Sequence, residues 1–479
     1  MAKTRMEDLV VILPGITGSV LQKDGKDIWA ISGQAAWQTI STYGESLQYL
    51  KVEQDDPDAE YLDDGIRPDR LVADASIVPG LAKIDGYTTL SRLIADNFQV
   101  EPGHIRDDKP ANFFEFPYDW RRDNRATAKR LKRFLDERLK RWRDYTGLKE
   151  AKVILLAHSM GGLVSRYYLE VLEGWRDCKA LFTFGTPHRG SANAVNFVAN
   201  GYKKLFFDLT EAMRSMNSVY QLMPIYEMLD VGGEYRRIAE TDGLPNIVKA
   251  KAEKALEFHR EIESAVKRHQ NDADYLKSYK IVPMVGTQQP TMQSAKLVDG
   301  ELTVSRELPP SIDPLLGDGD GTVPYISAIP IELSNEYRET YIAERHGSIQ
   351  SHARVLQELL DRLKAMQMKG MAEIRGPEVS PRGATRAAIS LSLDDLYLAD
   401  EPVEMRARLL HTGDNLGGLK ARIAPVSGGE TVEVDFQESG DEWVLTLEDL
   451  APGLYRTTVG TAGGTQSPSP VRDLFEVVG

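Results

Sequence analysis

Ala157-His158-Ser159-Met160-Gly161-Gly162, directly after the apolar run Val153-Ile154-Leu155-Leu156, constrains this chain more than any other stretch. β-prone residues give way to a small residue, an x-Ser-x core and two glycines. Leu163-Val164-Ser165-Arg166-Tyr167-Tyr168-Leu169-Glu170-Val171-Leu172 then supplies a helix. The pattern predicts a strand, a tight turn and a helix, with the serine at a strained backbone position and its hydroxyl projecting above the sheet. Residues two before and two after the serine must be small, because neighbouring strands and the helix backbone pass close by. Ala157 fills the first of these places, adding only a methyl group to the glycine often found there.

A serine hydroxyl is a poor nucleophile near neutral pH, so it needs a general base, a group to orient that base, and donors for the developing oxyanion. Downstream, Gly317-Asp318-Gly319-Asp320-Gly321-Thr322-Val323-Pro324 is a dense turn in a loop after the strand-like Tyr279-Lys280-Ile281-Val282-Pro283-Met284-Val285-Gly286. A carboxylate there can accept an imidazole N–H and leave the other ring nitrogen free as base. Asp320 is the first choice and Asp318 the second. A calcium loop is a poor alternative, because the fifth and twelfth places counted from Asp318 are Thr322 and Ile329 rather than oxygen ligands of the required kind.

The base belongs between the last strand and the last helix. Thr340-Tyr341-Ile342-Ala343 reads as the strand, and residues 353–366 carry apolar side chains at helical spacing. Two of the chain's eight histidines lie between them: His346, in the loop and preferred, and His352, at the helix start. For the oxyanion, the N–H of Met160 opens the helix after the serine, where donors point outward. The N–H of Ile16, in the loop Pro14-Gly15-Ile16-Thr17-Gly18-Ser19 after the strand Leu9-Val10-Val11-Ile12-Leu13, is the second donor.

These strings resemble the lecithin:cholesterol acyltransferase family, the branch of α/β-hydrolases that includes lysosomal phospholipase A2 and phospholipid:diacylglycerol acyltransferase. The resemblance rests on Pro14-Gly15-x-x-Gly18-Ser19, Phe116-Pro117-Tyr118-Asp119-Trp120-Arg121, the Ser159 turn and Phe184-Gly185-Thr186-Pro187. Ser218-Val219-Tyr220-Gln221-Leu222-Met223-Pro224 and Asp318-Gly319-Asp320-Gly321-Thr322-Val323 complete it, over roughly residues 8–365. It implies an α/β-hydrolase fold with Ser159 as nucleophile, Asp320 as orienter and His346 (or His352) as base. It further implies a serine esterase, lipase or O-acyltransferase acting on a lipid-like ester through an acyl-enzyme, with no metal or cofactor. Secreted members carry disulfides; the single Cys178 allows no intrachain bridge here. Two other readings stand beside it. One is a lipase-type toxic or defence effector whose C-terminal part binds a regulatory protein partner. The other is a catalytically silent interaction protein of the same fold.

A chain of 479 residues is too long for one ordinary domain. The net charge of −14 and pI near 5.2 argue against nucleic acid and anionic membrane as partners. Without a signal-like or membrane-spanning apolar segment, the expected location is cytoplasmic. The expected organisation is a catalytic unit over 1–368, with a helical cap at about 192–278, a linker at 369–384 and an all-β, immunoglobulin-like sandwich over 385–479. Residues 20–80 read as an insertion of little periodicity, a mobile surface near the site whose acidic run 53–60 is a solvated loop. Asp123 is expected to cap an amphipathic helix over 123–145 with a solvated basic face. Phe206, Phe207, Leu222, Met223, Ile225, Tyr226 and Met228 offer the cap either an apolar underside or its own core.

Overall fold

The computed structural model describes residues 3–29, 46–73, 76–78, 82–204, 207–333, 341–368, 387–410, 418–461 and 467–478. Its centre is a seven-stranded sheet in the order Tyr341–Ile342, Lys280–Gly286, Cys178–Phe184, Val153–His158, Leu9–Leu13, Phe113–Glu115 and Pro102–Gly103. Every neighbouring pair in it is parallel. A parallel sheet has both faces covered, so its strands read as continuous apolar runs. All residues of Leu9–Leu13 and Val153–His158 are accordingly buried.

Successive side chains point to opposite faces of a strand, and the two cores follow that alternation. Leu9, Val11, Leu13, Val153, Leu155 and Ala157 join one cluster with Leu131 and Leu135 of the helix Asn124–Thr146 and with Leu163 and Val164 of the helix Met160–Glu170. Val10, Ile12, Ile154 and Leu156 join the other, with Leu90 and Ile94 of Thr88–Asn97 and Val355, Leu359 and Leu363 of Ala353–Gln367. Each such buried valine, leucine or isoleucine side chain contributes about 1.5–3 kcal/mol. The Asn124–Thr146 helix begins where the Asp123 side chain accepts the Arg125 N–H at 2.8 Å, and ends at Gly147, whose φ of 74° closes it.

The segment expected to be a helical cap is more mixed. It holds the helices Ala192–Ala199, Thr210–Ser215, Asn217–Gln221 and Lys249–His269, but also the hairpin Leu229–Val231 and Glu234–Arg236. That hairpin joins Ser294–Val298 and Glu301–Ser305 in a four-stranded sheet, so this layer draws on residues beyond 278. Tyr-Gln-Leu-x-Pro fastens the layer down: the Gln221 side chain accepts the Asn124 N–H and donates to Asp123 Oδ1, both at 2.8 Å.

The early insertion is ordered where it is described. Ser19–Lys23, Lys26–Trp29 and Ile66–Leu71 form an antiparallel sheet. The acidic run is no solvated loop throughout: the Asp55 carboxylate is buried, bridges the Arg122 guanidinium at 3.0 Å and accepts the Asp123 N–H. Nor is the basic helix face wholly in water, since Arg138 lies buried against Phe134 and donates to the Ile105 carbonyl at 2.9 Å. The 369–384 linker lies outside the described residues, as do Phe206 and the Phe207 side chain.

Beyond it stand two largely antiparallel sheets. One is ordered Ala388–Leu393, Val403–Leu410, Glu442–Leu447, Gln437–Ser439; the other Leu396–Leu398, Val471–Val478, Gly453–Thr461, Leu419–Pro425, Val432–Asp435. Their inward residues share one core that includes Leu391, Met405, Ala421, Val459 and Phe475. At the Pro452-Gly453-Leu454-Tyr455 turn, the Tyr455 hydroxyl donates back to the Ala451 carbonyl at 2.7 Å.

Candidate active site

The turn at Ser159 has the anticipated strain. Its φ is 51°, in the left-handed half of backbone space that non-glycine residues rarely occupy. The cause is packing on both sides: the Ser159 N–H is drawn to the Phe184 carbonyl at 2.9 Å, and the helix Met160–Glu170 starts at the next residue. A Cβ on Gly161 would lie 2.5 Å from the Pro14 carbonyl oxygen, and one on Gly162 would lie 2.0 Å from Thr186 Oγ1. Only glycine fits both places.

His346 reaches this serine. Its Nε2 lies 2.9 Å from Ser159 Oγ, and its Nδ1 lies 2.7 Å from Asp320 Oδ2. A carboxylate only accepts, so Nδ1 carries the proton and Nε2 is left as acceptor for the serine O–H. Asp320 is in turn fixed: its Oδ1 accepts the N–H groups of Thr322 at 2.9 Å and Val323 at 2.7 Å. The His346 N–H donates to the Asp320 carbonyl at 2.8 Å, tying the two loops together directly. Gly185, with φ of 57°, passes so close that a Cβ there would meet Asp320 Oδ2 at 2.8 Å and His346 Nδ1 at 2.9 Å.

The second candidates lie elsewhere. His352 is the N-cap of the last helix, where its Nδ1 accepts the Arg354 N–H at 3.2 Å. Burial, helped by the charges of Arg472 and Arg354, pushes its pKa down to about 4. Asp318 occupies a φ of 57° and lends its backbone carbonyl to the Tyr325 N–H, while burial raises its carboxyl pKa. Among the described residues, no group of three or more His, Cys, Asp or Glu stands together as a metal site.

Ile16 lines a cleft together with Ser159 and His346, and Met160 opens the helix beside it. The Ile16 loop is held from beneath by the Phe-Pro-Tyr-Asp-Trp-Arg string. The Tyr118 hydroxyl donates to the Pro14 carbonyl at 2.8 Å, the Tyr118 N–H to Ser19 Oγ at 3.0 Å, and Trp120 Nε1 to the Ser19 carbonyl at 3.1 Å. Arg121 is fully buried and anchors that string through Asp119, Asp64 and the Tyr49 carbonyl.

Two residues at the site carried no role in the sequence reading. The Tyr87 hydroxyl accepts the Gly15 N–H at 2.8 Å and stands 3.0 Å from His158 Nδ1, while His158 Nε2 stands 3.1 Å from the His346 carbonyl. The polarity of that chain follows from its ends: Tyr87 gives its proton to Nδ1, and Nε2–H donates to the carbonyl. Burial, then the nearby His346, holds the His158 pKa down at about 3, so the ring is neutral. Position 158, directly before the serine, was the only signal available. Tyr87 had none.

The cleft is open to solvent and is walled mainly by apolar side chains: Ile16, Ile84, Pro187, Ala194, Phe197, Val219, Leu222 and Val323. Of the proposed cap residues, Leu222 faces the cleft, and Leu222, Met223 and Met228 all join the core cluster that covers one face of the central sheet. A hydroxyl poised at the floor of an apolar cleft suits an ester with a hydrocarbon arm. Residues 78–235 match the lecithin:cholesterol acyltransferase family model. The matched stretch of this acyltransferase family contains Tyr87, the Tyr-Asp-Trp-Arg string, Ser159 and the Gly185 turn; Asp320 and His346 lie beyond it. It supports a lipid esterase or acyltransferase in general. No curated relative matches the chain. Among solved structures, Bacillus licheniformis lipase BlEst2 in its propeptide form is similar at 12% identity and a TM-score of 0.31, over 99% of this chain and 94% of its own. A protein from Bacteroides vulgatus ATCC 8482, titled a glycoside hydrolase, is similar at 13% identity and a TM-score of 0.15, over 18% of this chain and 16% of its own. No described helix is long and apolar enough to cross a membrane.

Proposed function

We propose that this chain is a serine esterase or O-acyltransferase for lipid-like esters, with Ser159 as nucleophile, His346 as base and Asp320 as its orienter. One observation carries the reading: the Asp320–His346–Ser159 chain, at 2.7 and 2.9 Å, ends at the floor of an apolar cleft. Ser159 Oγ attacks the ester carbonyl carbon as its proton passes to His346 Nε2. The N–H groups of Ile16 and Met160 receive the oxyanion, each contributing about 3 kcal/mol to the transition state. The bond to the leaving alcohol then breaks, the imidazolium returns its proton to that oxygen, and the acyl group stays on Ser159. Water or a second alcohol releases it by the same steps in reverse order. Residues 1–368 form the catalytic unit in this reading, with 192–278 in its cap, and 385–479 form the accessory sandwich.

A fluorophosphonate probe tests the claim. Wild type is expected to be labelled on Ser159, and Ser159→Ala to be inert; a folded wild type that takes up no probe overturns the reading. The mass added to Ser159 after exposure to mixed lipid esters identifies the acyl group transferred.

A further inference from the structure

The sandwich meets the rest of the molecule at Asp85, which pairs with Arg456, and also at the two loops that carry Asp320 and His346. Gln289 belongs to the acid side. Its backbone pairs with Gly319, N–H to carbonyl at 2.9 Å and carbonyl to N–H at 3.2 Å, one residue before Asp320. Its carbonyl also accepts the Thr291 hydroxyl, whose oxygen accepts the Gly321 N–H. The fully buried Gln289 side chain then crosses to the sandwich: Nε2 donates to the Ile389 carbonyl at 3.0 Å, and Oε1 accepts the Leu391 N–H at 3.2 Å. One amide thus occupies the carbonyl and N–H that a neighbouring strand would take from the edge strand Ala388–Leu393.

Arg345 does the same on the base side. It directly precedes His346, donates to the Leu391 carbonyl at 2.7 Å and pairs with Asp473 at 3.0 Å, where the Asp473 side chain is only 2% exposed. Its neighbour Glu344, also buried, accepts the Arg472 N–H at 3.2 Å. Both loops therefore converge on Leu391: its N–H holds the acid loop, its carbonyl the base loop.

We propose that the sandwich is a positioning element of the active site, which through Gln289 and Arg345 keeps Asp320 and His346 in register with Ser159. This rests on the reading of those three residues as the reacting set. Neither Gln289 nor Arg345 lines the cleft, so loosening them alters turnover and not substrate capture. A misplacement of about 1 Å in such a set costs roughly 100-fold.

The test uses the full chain, a short-chain p-nitrophenyl ester, and a fluorophosphonate titration that counts competent sites. Gln289→Leu and Arg345→Met are expected to lower kcat per titrated site by about 10- to 100-fold with KM within about twofold. Arg345→Lys should fall between Arg345→Met and wild type. Arg408→Ala, on the exposed face of the sandwich against Glu442, should match wild type. Should Gln289→Leu not fold, Gln289→Glu keeps the acceptor for Leu391 while removing the donor to Ile389, and should still lower kcat. Wild-type kcat per titrated site in folded Gln289 and Arg345 variants, with only the melting temperature reduced, overturns the inference. A wild type that takes up no probe instead sinks the reading on which it rests.

Discussion

Replacing Asp320 by asparagine changes one atom and, on this geometry, disables the base. The carboxylate has two commitments: Oδ1 receives the Thr322 and Val323 N–H groups, and Oδ2 faces His346 Nδ1. Asparagine has one acceptor and one donor at its tip. Turning the amide nitrogen toward the two backbone N–H groups would leave the buried Val323 donor and the partly buried Thr322 donor unsatisfied, at up to about 1–3 kcal/mol each. Turning it toward Nδ1 costs only a change of tautomer. The amide therefore donates to Nδ1, the ring proton moves to Nε2, and Ser159 faces an occupied nitrogen. A preference of about 2–6 kcal/mol leaves the working tautomer at between about one part in 30 and one in 10⁴. The upper end matches the loss of about 10⁴ in kcat that a wrong tautomer produces in a serine triad. Steady-state hydrolysis of a short-chain p-nitrophenyl ester at neutral pH measures it. KM should hold, because Asp320 does not line the cleft. An Asp320→Asn protein within about threefold of wild-type kcat would refute the reasoning, and so would a larger loss from Asp318→Asn.

Three further outcomes follow from contacts already described. Tyr87→Phe strips the Gly15 N–H of its acceptor and His158 Nδ1 of its donor, so urea denaturation should show a loss of about 2–6 kcal/mol; an unchanged midpoint counts against that chain of hydrogen bonds. Gly185→Ala drives a methyl onto Asp320 and His346 and should cost at least about 100-fold in kcat. Gly147→Ala, at φ of 74° with nothing nearby, should cost about 1–2 kcal/mol of stability and leave turnover alone; equal turnover in the two variants refutes the contrast. Burial, only partly offset by the hydrogen bonds it accepts and by the Arg472 guanidinium 4.0 Å away, raises the pKa of Glu344 from 4.5 to about 7. The His352 ring lies 3.6 Å away with its own pKa lowered by burial, so it supplies no counter-charge at neutral pH. A raised folded-state pKa contributes stability below about 4.5 that is lost as the pH climbs through about 7. Glu344→Gln should therefore gain on wild type between pH 5 and pH 8, by up to roughly 3 kcal/mol, in paired denaturation curves. A difference that does not vary with pH contradicts this.

The elements legible in the sequence are those whose constraint is local. Val153–His158 and Leu9–Leu13 are continuous apolar runs because both faces of a parallel sheet are covered, and of the glycines after Ser159 one answers to the Pro14 backbone and the other to the Thr186 side chain. The order of Ser159, Asp320 and His346 was visible too, and His346 was preferred to His352 for its place in the loop rather than at the helix start. Both lie between the same strand and helix, and only the fold shows one facing the serine and the other capping the helix. Contacts between distant segments were not legible. Asp55 sits in a run of acids that looks like a solvated loop, yet Arg122 and the start of the next helix draw it inside. Tyr87 is an ordinary tyrosine until Gly15 and His158 fold against it.

The outermost strand of a sheet is a template on which stray chains can grow, and proteins shield such borders with charge, proline or a covering segment. On Ala388–Leu393 that shielding is done in part by Gln289 and Arg345, whose other neighbours are the acid and base loops. On the proposed reading, solubility and turnover depend on the same few hydrogen bonds. A substitution that frees those loops also uncovers an adhesive border, so catalytic decline and aggregation arrive together.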